Sequence, residues 1–328
     1  MKRKRLSTEK YLEGILSQNK VILSQAITLI ESTNTSDELL ATELMRKLPV
    51  SDESSKCIKL GITGVPGVGK STFIDTFGSY LTSKGLSIAI LSIDPSSQKT
   101  GGSILGDKTR MENLARNPNA YIRPSPSGKT LGGVAHKTHE TILLCEAAGF
   151  DCIIVETVGV GQSETMVKEM VDFFLLLMLA GGGDELQGIK RGIMEMADSI
   201  VIHKADGDNI KTAKNAKVNY QNALHLFPPN HNNWIPQVSL CSSLEKTGIE
   251  DAWLIIQKFM DQMSGNGYLQ KNRADQKQMW FTNLLQHRLL HKLYKSPELN
   301  QEIAQSVQKI ADHEINVPSA VSQILDKM

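Results

Sequence analysis

Eight consecutive residues, Gly64-Val65-Pro66-Gly67-Val68-Gly69-Lys70-Ser71, fit the pattern G-x-x-x-x-G-K-[ST], a loop that cradles the phosphates of a nucleoside triphosphate. Glycines at 64, 67 and 69 let the backbone curl around an anion with no Cβ in the way, so that several N–H groups converge on one phosphate. Lys70 then reaches the β- and γ-phosphates and the Ser71 hydroxyl binds Mg²⁺, while Thr72 follows in the first helical turn and joins the nucleotide contacts. The flanks suit this reading. Lys59-Leu60-Gly61-Ile62-Thr63 predicts a strand leading in, and Thr72-Phe73-Ile74-Asp75-Thr76-Phe77 predicts a helix leading out.

Further residues fall where such a site needs them. Glu156-Thr157-Val158-Gly159 occupies the place of a D-x-x-G switch, with an acid for the magnesium shell and a glycine amide for the γ-phosphate. Asp94 and Asp107 are also candidates for the metal. Asp94 ends a strand expected beside the phosphate-loop strand, and its other reading is a turn-forming Asp-Pro; Asp107 reads alternatively as a helix cap. His203-Lys204-Ala205-Asp206 lies where guanine-binding proteins carry N-K-x-D, so Asp206 would accept from guanine N1 and N2 while the Lys204 stem covers the ring. His203 departs from the Asn of that pattern, which leaves guanine reading to rest on Asp206. Cys241-Ser242-Ser243-Leu244 fits the S-A-[KL] element that backs the base, with Ser243 in place of Ala.

Two look-alikes carry less. Ser127-Gly128-Lys129-Thr130 imitates a second phosphate loop, but Arg123 stands where its first glycine belongs, and a turn is expected instead. His136 and His139, three apart on a predicted helix, lack a third ligand nearby and read as a solvated face.

These residues need a sheet to hold them. From Cys57 onward predicted strands alternate with helices, the pattern of a doubly wound, mostly parallel α/β sheet of the P-loop NTPase kind. Strands are expected at 87–93, 121–123, 151–156, 173–179, 199–203 and 235–241, with helices at about 208–226 and 247–263. Apolar positions at helical spacing in 6–48, broken near 17–19 and 32–35, predict a helical N-terminal extension over 1–55; the nucleotide domain spans 56–264, and 265–328 is helical only.

Composition sets limits. The 328 residues hold 36 Lys plus Arg against 35 Asp plus Glu, so no overall field draws the chain to nucleic acid. The longest apolar run, 173–180, falls well short of the roughly 20 residues of a membrane helix. No apolar stretch follows the basic start Lys2-Arg3-Lys4-Arg5, which argues against a secretory leader. Cys57, Cys145, Cys152 and Cys241 have no metal-ligand spacing and suit reduced core thiols in a cytoplasm.

Taken together, residues 57–264 resemble the MeaB/ArgK family, methylmalonyl-CoA mutase-associated GTPases of the SIMIBI class. The likeness is carried by Gly64–Ser71, Asp94-Pro95-Ser96-Ser97, the run from Gly101 to Met111, Glu156-Thr157-Val158-Gly159-Val160-Gly161-Gln162-Ser163-Glu164, and the run from Gly183 to Lys190. It implies a homodimeric, Mg²⁺-dependent GTPase that moves between GTP and GDP while escorting adenosylcobalamin into or out of a coenzyme-B12-dependent acyl-CoA mutase. Asp94, Asp107 and Glu156 would surround the metal, Gly183–Lys190 would be a switch, the C-terminal helices would carry the dimer, and cobalamin would sit on the partner only.

Where Ras-like enzymes place a water-orienting Gln after the switch glycine, this chain has Val160, so intrinsic hydrolysis is expected to be slow. A partner that orders the switches would recruit Asp107, Arg110, Gln162 or Lys190 beside Lys70. Two other functions share the architecture. An ATP-dependent kinase of an amino-acid transport system would need a positioned base for its acceptor, and a metal-insertion chaperone would need His and Cys clusters.

Overall fold

The runs Cys152–Thr157 and Phe173–Leu179 have no polar face to turn to water, so each must lie inside a sheet covered on both sides. They do so in the computed structural model, which describes residues 5–49, 56–93, 111–124, 131–157, 163–180, 191–228 and 232–326. The strands are β1 (Ile58–Gly64), β2 (Ile88–Ile93), β3 (Ala120–Arg123), β4 (Cys152–Thr157), β5 (Phe173–Leu179), β6 (Ser199–His203) and β7 (Gln237–Leu240). They form one sheet in the order β3-β2-β4-β1-β5-β6-β7, with every neighbouring pair parallel.

This order corrects one expectation. The strand that precedes Asp94 is not beside the phosphate-loop strand, because β4 is inserted between β1 and β2. Burial alone does not choose between them, since β2 and β4 are both buried along their whole length and both lie inside the sheet; the order is set by the crossovers between strands, which no local run of residues encodes. The insertion brings Glu156 into register with Ile62, two residues before the phosphate loop begins.

The chain divides into two compact units, Met1–Ala274 and Asp275–Met328. In the first, helices α1 (Thr8–Leu16), α2 (Lys20–Glu31) and α3 (Thr35–Lys47) start at Ser7, Asn19 and Asn34, whose side chains cap their first turns. Tyr11, Ile15, Leu23, Ile27 and Leu44 join one core with Ala89, Leu91 and Val155 of the sheet. The opposite face carries α4 (Lys70–Ser83), whose Phe73, Ile74 and Phe77 pack on Leu60, Ile62 and Ile154. Shorter helices α5 (Glu112–Ala115), α7 (Ser163–Lys168) and α8 (Arg191–Met196), and the longer α6 (Leu131–Ala147), α9 (Ile210–Leu224) and α10 (Ile249–Gly265), fill the connections.

His136 and His139 lie on α6, and the solvated face expected for them is not observed. α6 is sandwiched between α2 and the sheet, so His136 is buried, and burial pushes His139 down to about 4, helped by nearby His136 and Lys59. All four cysteines are free and buried, and burial raises each thiol, to about 12 for Cys152 and Cys241.

The helix α11 (Tyr268–Lys295) begins in the first unit. There Arg273 donates from Nε to Asp172 Oδ1 at 2.8 Å and from Nη2 to Asp172 Oδ2 at 2.7 Å and Cys57 O at 2.8 Å. The amide of Lys59 donates to Asp172 Oδ2 at 2.9 Å, so the ion pair clamps the starts of β1 and β5. The second unit holds the rest of α11 with α12 (Pro297–Ala311) and α13 (Val317–Leu325). Phe281, Leu285, Leu289, Leu290, Val321 and Leu325 are exposed on it.

Candidate nucleotide site

The loop between β1 and α4 is built by three glycines that are needed for different reasons. A Cβ on Gly64 would stand 2.5 Å from Leu177 O, so here β5 comes too close for any side chain. Gly67 has open space but a φ of +77°, a left-handed backbone that other residues adopt at a cost. Gly69 combines both, with φ +91° and a virtual Cβ 3.0 Å from His203 Cε1. Being glycine, it also gives α4 no side-chain cap, so the amides of the first turn at Lys70, Ser71 and Thr72 stay available to an anion.

Lys70 Nζ donates to Gly64 O at 2.8 Å and lies 3.5 Å from Val65 O. Among the described residues it forms no direct ion pair. Burial lowers its pKa, while the carboxylates of Glu156 and Glu164 pull the other way. Glu164 is 2% exposed, and its influence on Lys70 is one that the sequence did not single out. Ser71 Oγ donates to Glu156 Oε1 at 3.2 Å, and Glu156 is 3% exposed. A hydroxyl and a carboxylate oxygen meeting at one point are hard donors of the kind Mg²⁺ prefers, so these residues fit that ion.

His203 closes the other side of the loop. Its Nδ1 lies 2.7 Å from Val68 O, which can only accept, so Nδ1 carries the proton. Burial lowers the pKa of the ring, partly offset by that bond and by Asp206, with Lys204 acting in the same sense as burial. The neutral ring then accepts at Nε2 from the Ser243 hydroxyl, also at 2.7 Å. Phe73 meets it edge-on with centroids 5.9 Å apart. Both nitrogens are thus engaged by protein, and His203 joins the phosphate loop to the base-side loop.

Lys204, at φ +57°, reaches back to donate from Nζ to Gly67 O at 2.9 Å, so its stem runs from the base side to the phosphate side. Asp206 Oδ2 accepts from the Ser242 hydroxyl, whose oxygen in turn accepts from Glu245 N at 3.1 Å. Paired amides of Ser242 and Thr247, 3.0 Å each way, hold that loop, and Leu244 at its tip is 83% exposed. The structure therefore brings together Gly64–Thr72, Glu156, His203, Lys204, Asp206, Ser242 and Ser243. Asp94, Asp107, Arg110, Gly159, Gln162 and Lys190 lie outside the described residues, as does Ser127–Thr130.

Known proteins resemble this chain over nearly its whole length. The profile of the family described as "Methylmalonyl Co-A mutase-associated GTPase MeaB" matches residues 23–298. The chain is 44% identical over 305 residues to a protein of Escherichia coli named GTPase ArgK, covering 93% of this chain and 92% of that one. It is 42% identical over 325 residues to a mouse protein named Methylmalonic aciduria type A homolog, mitochondrial, covering 97% and 78%. A crystal structure described as a LAO/AO transport system kinase superposes with a TM-score of 0.75 at 35% identity, covering 97% of this chain and 96% of that one.

Proposed function

This chain belongs to the MeaB family of methylmalonyl-CoA mutase-associated GTPases, and we propose that it is the G-protein chaperone of a coenzyme-B12-dependent acyl-CoA mutase, gating the loading or protection of adenosylcobalamin. Its chemistry is GTP hydrolysis. The observation that carries the reading is the convergence of Ser71 and Glu156, 3.2 Å apart, on a loop whose lysine is held by backbone carbonyls rather than by a carboxylate. A bound triphosphate offers Lys70 stronger partners than those carbonyls, so the ammonium turns to the β- and γ-oxygens. Ser71 and Glu156, with Asp94 and Asp107, would hold Mg²⁺, which would neutralise charge on the phosphates. Asp206 accepts from the guanine edge, positioned by Ser242, and Lys204 covers the ring.

Hydrolysis by the isolated chain is slow, since Val160 cannot orient water, and the mutase orders Arg110, Gln162 and Lys190 around the γ-phosphate. The exposed Phe281, Leu285, Leu289 and Leu290 support a homodimer through 265–328, with cobalamin held by the mutase. The mitochondrial name belongs to the mouse relative; for this chain we place the encounter in the cytoplasm.

Transfer of adenosylcobalamin into the apo-mutase, followed spectroscopically with this protein in its GTP-bound and GDP-bound forms, tests the proposal. Nucleotide-dependent transfer is expected, and identical transfer in both forms contradicts it. Competition of ATP against labelled GTP tests the transport-kinase alternative, which a preference for ATP would favour.

A further inference from the structure

The two strands that carry the chemistry stop pairing just where the site begins. β1 continues beside β5 as far as Gly64↔Leu177, and β4 continues beside β2 as far as Ile93↔Thr157. Between β1 and β4 themselves the backbone register ends at Ile62↔Glu156. One residue further on, Thr157 Oγ1 and Thr63 Oγ1 meet at 2.7 Å, with Thr63 2% and Thr157 0% exposed. Thr63 directly precedes Gly64 and Thr157 directly follows Glu156. Alternation along the strands puts this pair on the face opposite Glu156 and Ser71.

Two hydroxyls withdrawn from water to bond each other contribute little net stability. Their bond has a geometric effect instead. It ties β4 to β1 at the point where the ladder has ended, and so fixes the height of the Glu156 backbone relative to the phosphate loop. We propose that Thr63 and Thr157 are positioning residues for GTP hydrolysis, a hydroxyl latch that holds the Glu156 carboxylate at bonding distance from Ser71 for the shared metal. The inference rests on Ser71 and Glu156 forming the magnesium shell.

The test is the double variant Thr63→Ala/Thr157→Ala in the full chain, because removing both partners leaves no unpaired buried hydroxyl, whereas two valine methyl groups would clash at the 2.7 Å that separates the hydroxyls. Single-turnover GTP hydrolysis is measured across a Mg²⁺ titration, beside thermal unfolding and GDP affinity in EDTA. The magnesium concentration for half-maximal rate should rise about tenfold, the scale seen when groups supporting a metal ligand are removed. The metal-free GDP affinity should stay near that of the parent, while the unfolding temperature falls only by the cost of the two buried methyl groups removed. An unchanged magnesium requirement overturns the latch. Should the double alanine chain not fold, Thr157→Ser against Thr157→Ala decides: serine should keep the parent requirement and alanine raise it, and equal values overturn the proposal. Glu156→Gln, run alongside, separates the two readings. If it leaves the magnesium requirement unchanged, the metal shell fails and the latch with it; if it raises the requirement while the threonine variants do not, the latch alone fails.

Discussion

Charge is buried at both ends of the central strands, and the two ends treat it in opposite ways. At the starts of β1 and β5, Arg273 and Asp172 are matched to each other through two bonds and to the backbone through Cys57 O and Lys59 N. At the far ends Lys70 is held by Gly64 O, and Glu156 by a serine hydroxyl. A mutually paired buried ion pair is costly to open, whereas an ammonium resting on a carbonyl gives it up readily to a phosphate. The lower end is closed for stability. The upper end is left exchangeable for a ligand.

The sharpest way to break this contrast is at Lys70. Lys70→Ala should slow GTP hydrolysis by on the order of 10³-fold while leaving thermal unfolding nearly unchanged, read by single-turnover kinetics and calorimetry. Asp172→Ala should do the reverse. It strands Arg273 in the core and should cost about 3 kcal/mol of unfolding free energy in urea titrations, with nucleotide affinity of the folded protein unaltered. A comparable loss of affinity would show that the two ends are not independent.

His203 sits between these extremes, buried like the lower pair but bonded to the site. His203→Ala leaves Val68 O and the Ser243 hydroxyl facing a gap, and should weaken GDP by about 2 kcal/mol, roughly thirtyfold, in isothermal titration. The smallest effect concerns His139. Burial lowers its pKa to about 4, so the fold favours the neutral ring. Its contribution is present in full above about pH 6.5 and is lost as pH falls towards about 4; discounted for partial exposure, it amounts to about 1.5 kcal/mol. His139→Gln should flatten the acid limb of the stability profile by that amount.

How much of this was legible in the sequence differs between the same regions. The strands and the phosphate loop were, because unbroken apolar runs and a glycine pattern are local signals that tertiary structure has little freedom to override. The order of the strands was not. That β4 separates β1 from β2 is a matter of how the crossovers return to the sheet, with α4 packed on one face and α1–α3 on the other, and β2 and β4 are comparably apolar and equally buried. His136 and His139 were misread for the same reason, since only the fold shows that α2 covers α6. The bonds from His203 to Val68 and Ser243 join residues 135 and 40 positions away, which spacing cannot reveal. Asn at that position would have suggested base contact; the ring in the structure serves as a strut.

If the upper end is a switch read by a partner, hydrolysis must respond to that partner. The direct measurement is single-turnover GTP hydrolysis at saturating Mg²⁺ with and without the B12-dependent mutase. Acceleration of about tenfold or more is predicted, as expected when an incomplete catalytic set is ordered in trans. Equal rates in the two conditions would contradict it.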